Sequence, residues 1–282
     1  MSSRIVYLNG KFLPIAEAHI SVMDRGFLFG DGVYEVIPVF ENKLFRAEQH
    51  LARLQQSLAG IHLSLPANID IPAIIDELIR RNPEQGANRA IYMQVTRGAS
   101  IMREHTFPTD AAPTIFMQST AFTPATIESL SGGAKVITVN DIRWHHCFIK
   151  AITLLPNVLL AQEAKEKNAK EAVLIRDGMA MEGTSSNLFI VKDDVLITPP
   201  ATHEILKGVT RDLILELAEQ HGIEYREQEI PREMLYNADE VWMTGSIKEI
   251  LPITQIDDAQ VADGKVGPMW RRMFEHYQQA KK

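Results

Sequence analysis

Two stretches decide how this chain is read: V-N-D-I-R-W-H-H-C-F-I-K, residues 139–150, and E-G-T-S-S-N-L-F-I-V, residues 182–191. The first ends on Lys150, directly after Cys147, Phe148 and Ile149. The second opens on a carboxylate, Glu182, followed by small hydroxyl residues and an apolar run. An amine entering apolar surroundings is pushed toward its neutral, nucleophilic form. Schiff-base chemistry needs such an amine. The question for the rest of the chain is whether it supplies the partners a reactive lysine requires.

Around these stretches the second half alternates short strands and hairpins. Strands are predicted at 135–139, 171–175, 179–182, 188–191, 195–198, 224–229 and 240–244. Helices are predicted at 155–167, 211–220, 232–238 and 269–280, with Thr210 as N-cap of the second and Gly222 beyond its end. Regular strand–helix–strand units are missing, which argues against a doubly wound nucleotide fold. The first half opens with a hairpin through Asn9-Gly10, residues 4–14, and a strand at 33–40 after Gly26, Gly30 and Gly32. Amphipathic helices follow at 47–59 and 71–81, then strands at 90–96 and 114–119. A polar loop between those strands carries Arg103 and His105. The Thr-, Ser-, Ala- and Gly-rich stretch 121–133 reads as a linker between an N-terminal α/β domain, 1–120, and a C-terminal domain, 134–282.

Composition narrows the function classes. The chain has 282 residues and a formal charge of -7, with 45% apolar and 23% charged residues. The mild acidity offers no Lys/Arg stripe for a nucleic acid. A single cysteine excludes an internal disulfide. The start, M-S-S-R-I-V-Y-L-N-G, shows no secretory signal, and no apolar run is long enough to span a membrane. A cytoplasmic protein is expected. His145 and His146 with Cys147 form no zinc spacing, so no metal is expected.

The remaining features fit one ligand. A phosphate needs hydrogen-bond donors and positive potential, which a helix N-terminus supplies. The Val209 and Thr210 amides, the Thr210 and Ser246 hydroxyls and the Arg53 guanidinium suit that task. Glu182 suits a protonated pyridine nitrogen, and Lys150 suits an aldehyde. Together they describe a pyridoxal 5'-phosphate site. Taken singly, each is ordinary: Lys150 and Arg53 read as surface residues and G-V-T as a capped helix.

The chain resembles the D-amino-acid aminotransferases of the class IV pyridoxal-phosphate transaminases. That class also holds branched-chain aminotransferases and aminodeoxychorismate lyase. The resemblance runs over essentially the whole chain. It rests on D-R-G-F-L-F-G-D-G-V-Y-E-V (24–36), V-T-R-G (95–98), D-I-R-W-H-H-C-F-I-K (141–150), E-G-T-S-S-N-L-F (182–189) and L-K-G-V-T-R-D (206–212).

The resemblance implies a two-domain α+β protein of fold type IV. Its sheets would be mostly antiparallel with flanking helices, and its cofactor-binding C-terminal domain barrel-like. It implies Lys150 as Schiff-base lysine and proton carrier, and Glu182 at the pyridine nitrogen. Arg53, Val209, Thr210 and Ser246 would seat the phosphate, Ser185 and Ser186 would line the pocket, and Leu206 would pack on the ring. Tyr34, Arg103 and His105 would receive the substrate carboxylate. The R-x-H loop would come from the neighbouring subunit of a homodimer. The implied reaction moves an amino group between a D-amino acid, such as D-alanine or D-glutamate, and a 2-oxo acid, such as 2-oxoglutarate or pyruvate. Rival readings on the same fold are an L-branched-chain aminotransferase, an (R)-selective amine transaminase, the lyase branch and a non-catalytic cofactor-binding protein. The chain departs from the family pattern at Thr184, at Gly245 and at Lys248 in M-T-G-S-I-K-E-I (243–250).

Overall fold

The computed structural model describes residues 4–281; residues 1–3, which open the stretch read for a secretory signal, and residue 282 lie outside the described residues. The chain divides into two compact units. One comprises Met1–Pro124 with Ile149–Thr153, the other Ala125–Phe148 with Leu154–Lys282.

In the first unit, strands β1 (Ile5–Leu8) and β2 (Lys11–Pro14) form the expected hairpin. Its turn residues Asn9 and Gly10 have φ of 47° and 88°, the left-handed pair that a tight two-residue turn demands. The glycine-rich stretch after it, for which no helix was predicted, contains a short helix α1 (Arg25–Phe29). Asp24 caps it by accepting the Gly26 amide at 2.8 Å. So short a helix shows no apolar period, which hid it from pattern reading. Strands β3 (Gly32–Phe40) and β4 (Lys43–Leu44), helices α2 (Ala47–Gly60) and α3 (Ile71–Arg81), and strands β5 (Arg89–Thr96) and β6 (Thr114–Ala121) complete the unit. The antiparallel sheet runs β2-β1-β6-β5-β3-β4. Alternation along β3 buries Val33, Ile37 and Val39 against Leu54 and Leu58 of α2 and Ile75 and Leu78 of α3.

Ile149 belongs to the same core, with Ala151 packed against it. Ala151 bridges Val33, and the Ile152 amide donates to the Gly32 carbonyl at 3.1 Å. Burial of these apolar residues is why Ile149–Thr153 joins the first unit although it lies far along the chain.

The second unit begins at α4 (Ile127–Leu130), a capped turn inside the stretch read as linker. It continues through β7 (Ala134–Asn140), α5 (Leu155–Glu166), β8 (Glu171–Arg176), β9 (Met179–Gly183), β10 (Asn187–Lys192) and β11 (Val195–Thr198). Then come α6 (Val209–Gln220), β12 (Tyr225–Glu227), β13 (Ile230–Pro231), α7 (Arg232–Tyr236), β14 (Glu240–Gly245), β15 (Glu249–Ile256), β16 (Ala259–Gln260) and α8 (Pro268–Ala280). Pairing runs β10-β14-β15-β7-β8-β9 and returns to β10 through Glu182 opposite Asn187, so the sheet closes as a barrel. Most pairs are antiparallel; β7 lies parallel to both β8 and β15, and β11 to β12.

Sequence reading placed no strand at 249–256. Pro252 sits mid-strand opposite Trp242, a position where proline ordinarily argues against pairing. The barrel interior is filled by residues such as Val173, Leu188, Ile190 and Met243. Helix α6 buries Leu213, Ile214 and Leu217, and α8 buries Trp270, Phe274 and Tyr277. Among the described residues, no helix is long and apolar enough to cross a membrane.

Leu78 on α3 is fully buried in the first core. Leu78→Ala should cost about 2–5 kcal/mol through lost burial and a residual cavity. Urea unfolding would read this as a lower midpoint, and an unchanged midpoint would remove α3 from that core.

Candidate active site

Lys150 is pinned through its main chain. Its amide donates to Ser57 Oγ at 3.1 Å, and its carbonyl accepts the Tyr34 amide at 3.0 Å. Its Nζ stands 4.2 Å from the centroid of the Tyr34 ring. That ring stacks on Tyr92 at 5.8 Å. The predicted lysine and tyrosine are therefore brought together within the first unit, with a cation over an aromatic face.

Tyr34 and Glu35 are neighbours on β3, so their side chains leave opposite faces of the sheet. Glu35 enters the apolar face, fully buried, and receives Arg53 Nε at 2.9 Å and Nη2 at 2.6 Å, with His50 Nδ1 at 3.0 Å. Burial raises the Glu35 carboxyl, but the Arg53 charge and the His50 and Arg53 hydrogen bonds outweigh it and hold the group well below its ordinary range. Burial also lowers His50, against the pull of Glu35. Arg53, expected at the phosphate, thus spends its Nε and Nη2 on Glu35. A glutamate at an inward position of an alternating strand was the sequence signal for this pairing, and it went unread.

The R-E-H loop is exposed, and α1 holds it. The Arg103 guanidinium lies 4.8 Å from the Phe29 ring centroid, and the His105 ring meets Phe29 edge-on at 5.4 Å. Arg25 donates to the Glu104 carbonyl at 2.6 Å and the His105 carbonyl at 3.3 Å. Arg25 in turn pairs with Asp31 at 2.8 Å, as does Arg97. Arg25, Asp31 and Arg97 were not singled out in the sequence, although D-R-G-F-L-F-G-D-G and V-T-R-G contain them.

In the second unit Glu182 is the penultimate residue of β9, 4% exposed. It pairs with Arg143 and accepts the Leu206 amide at 3.2 and 3.1 Å and Asn187 Nδ2 at 3.1 Å. Burial pushes its carboxyl up against the opposing charge of Arg143. Arg143 also forks onto Asp141 at 2.9 and 2.8 Å, and Arg176 reaches Asp141 at 2.8 Å. Burial works to lower Arg143, but Asp141 and Glu182 overcome it and lock the guanidinium in its charged form. Arg143, Asp141, Arg176 and Asn187 were missed by sequence reading. Leu206 was expected to pack on a ring; the contacts seen are those of its backbone, with its carbonyl accepting Asn187 Nδ2 at 2.7 Å.

Helix α6 starts two residues earlier than Thr210 as N-cap would set it. Gly208 is the N-cap, without a side-chain cap, and Val209 and Thr210 are the first helical residues. A Cβ at position 208 would fall 1.9 Å from Asn187 Oδ1, so only glycine fits and the entry stays open. The first-turn amides therefore keep their donors for another partner. Ser246 follows β14, half-buried. Ser185 and Ser186 turn their hydroxyls to Glu171 at 3.3 and 3.1 Å, a partner not read from sequence. A buried acid for a pyridine nitrogen, open amides and hydroxyls for a phosphate and an amine for an aldehyde all suit pyridoxal phosphate.

Comparison with known proteins agrees. The amino-transferase class IV family matches residues 32–256. A D-alanine aminotransferase of Staphylococcus epidermidis is 40% identical over 280 residues, 98% of each chain. One of Bacillus licheniformis is 38% identical over 272 residues, 95% of this chain and 94% of that one. Among solved structures, an Escherichia coli branched-chain aminotransferase has a TM-score of 0.89 at 28% identity, covering 99% of this chain and 94% of its own. A T.th. branched-chain aminotransferase solved with pyridoxamine 5'-phosphate has a TM-score of 0.91 at 27% identity, covering 100% and 95%. The chain belongs to the class IV aminotransferases and is a pyridoxal-phosphate-dependent enzyme of fold type IV.

Arg53→Met would leave Glu35 buried without its guanidinium, at a cost of about 3–5 kcal/mol. In the native protein the Glu35 carboxyl is depressed, so its stabilisation is complete above the unfolded value of 4.5 and is lost as pH falls through the folded one. The stability gap between native and variant should therefore be widest at neutral pH and shrink in acid. A gap constant from pH 7 to pH 4 would refute the pairing.

Proposed function

We propose that this enzyme transfers the amino group of a D-amino acid, D-alanine among them, to a 2-oxo acid such as 2-oxoglutarate. The observation that carries the reading is the Lys150 ammonium held over Tyr34, in a unit that also presents Arg103 and His105 on a loop anchored by Arg25. The higher identity to D-alanine aminotransferases, 38–40%, than to branched-chain enzymes, 27–28%, supports the D assignment.

Bound pyridoxal phosphate supplies an aldehyde that accepts amines and a ring that stores the electron pair freed when the α-proton leaves. Lys150 Nζ is the amine that takes the α-proton and later gives it back, so it serves as base and acid in turn. The Tyr34 ring keeps that Nζ from swinging away. Glu182 holds the ring nitrogen, with Arg143, Asn187 and the Leu206 amide fixing its carboxylate. The α6 amides of Val209 and Thr210, with the Ser246 hydroxyl, take the phosphate, and Ser185 and Ser186 line the pocket. Arg53 is proposed to add a guanidinium donor to the phosphate. Leu206 borders the ring.

Arg103 and His105, with Tyr34, receive the substrate carboxylate. The side on which the carboxylate is gripped decides which enantiomer turns its proton to Lys150. The reading carries a homodimer in which the loop of one protomer serves its partner, acting in the cytoplasm.

Turnover of D-alanine and of L-leucine, each with 2-oxoglutarate, tests the assignment while the absorbance of the bound cofactor is followed. D-alanine alone should convert the cofactor to its pyridoxamine form. Conversion by L-leucine alone would transfer the enzyme to the branched-chain reading. Arg103→Leu should lower kcat/KM for D-alanine by about 30-fold or more, the equivalent of losing a charged partner. An amine without a carboxylate should lose far less, and equal losses would reject the clamp. Light scattering should give twice the mass of the chain; a monomer with full activity would reject the shared loop.

A further inference from the structure

Lys248 stands two residues beyond Ser246, and Gly245 before it offers no side chain. The Lys248 ammonium pairs with Glu171, whose side chain is 3% exposed, while that of Lys248 is 27% exposed. Glu171 opens β8 and gathers the turn that joins β9 to β10. The Thr184 hydroxyl and amide both donate to Oε1, the amide at 3.1 Å. The Ser185 and Ser186 hydroxyls donate to Oε2 at 3.3 and 3.1 Å. Lys248 Nζ also lies 3.2 Å from Ser185 Oγ. The turn has no slack: a Cβ on Gly183 would fall 2.4 Å from Ser186 Oγ and 2.5 Å from Met243 Cε.

Only an ionised carboxylate can accept from this many donors at once. Burial opposes ionisation, and the charge of Lys248 and its hydrogen bond, with that of Thr184, offset the burial. Among the described residues, Lys248 is the one charged side chain that pairs with Glu171; every other group facing it is a hydroxyl or an amide. The neighbouring Glu249 does not compete for the ammonium, because its carboxylate accepts Gln278 and Lys281, each at 2.7 Å.

We propose that Lys248 is a positioning residue for cofactor retention: its ammonium pairs with the buried Glu171, and Glu171 fixes the Thr184, Ser185 and Ser186 turn. The inference rests on the reading above that Ser185 and Ser186 line the cofactor pocket. Lys248 acts through Glu171. Its charge arranges the donors that surround the cofactor.

The test compares the native holoenzyme with Lys248→Met, Lys248→Arg and the double variant Lys248→Met/Glu171→Gln. Two quantities are read: the rate at which pyridoxamine phosphate is lost on dialysis, and the melting temperature of cofactor-free protein from pH 5 to pH 8. Lys248→Met should release the cofactor about tenfold faster or more at pH 8. Its melting deficit should narrow toward pH 5, as the unpaired Glu171 takes up a proton. Lys248→Arg should restore both, and the double variant should lose the pH dependence. Native retention in Lys248→Met, or a deficit independent of pH and untouched by Glu171→Gln, would overturn the assignment. A native protein that takes up no pyridoxal phosphate would instead overturn the functional reading, and the melting series would still decide the Lys248–Glu171 coupling.

Discussion

The second unit depends on the bridge between Glu182 and Asn187. Their backbones close the barrel, and their side chains meet at 3.1 Å just inside the seam. Asn187 also holds the Leu206 carbonyl and stands where a side chain on Gly208 would have to go. One amide thus sets the ring of strands, the acid near the end of β9 and the start of α6. Arg143 completes the arrangement by sharing its guanidinium between Glu182 and Asp141. Buried charges in such a chain support one another, and removing any single member leaves the others without compensation. That dependence explains how an acid can be kept buried at the seam where the barrel closes.

The first unit solves a comparable problem with a single strand. Consecutive residues of β3 leave opposite faces, so Tyr34 goes to Lys150 and Glu35 goes to Arg53 and His50. A slip of one residue in the pairing with β5 would exchange those faces. The ion pair beneath the sheet therefore does more than neutralise charge. It fixes the register that keeps an aromatic ring under the amine.

Much of this was legible in the chain. The hairpin at Asn9-Gly10, helix α3, and most of the barrel strands follow from turn chemistry and period. Other features were hidden for definite reasons. Helix α1 is too short to show a stripe, and Pro252 disguised β15. The candidate residues came from their types taken together with the family resemblance, since lysine, acid and glycine-led helix are each ordinary alone. Their supporting partners were not legible: Arg143, Asp141, Asn187 and Glu171 matter through contacts distant in sequence, which no local pattern encodes. Glu35 is the exception, since a carboxylate between Val33 and Ile37 on an inward face demands a cation.

The return of Ile149–Thr153 to the first unit has a consequence for how the protein is made. A ribosome that has released residue 124 has not yet delivered Ile149 and Ala151, which that unit buries. The nascent first half must wait, incomplete, while β7 and the turn after it are synthesised. Vectorial folding, in which an N-terminal domain finishes before the next begins, is closed to this chain. Splitting the gene between residues 124 and 125 would separate the first unit from its own lysine. The segment that carries Lys150 is also the last piece of the first unit to arrive, so a chain that stops short of it leaves that core unfinished.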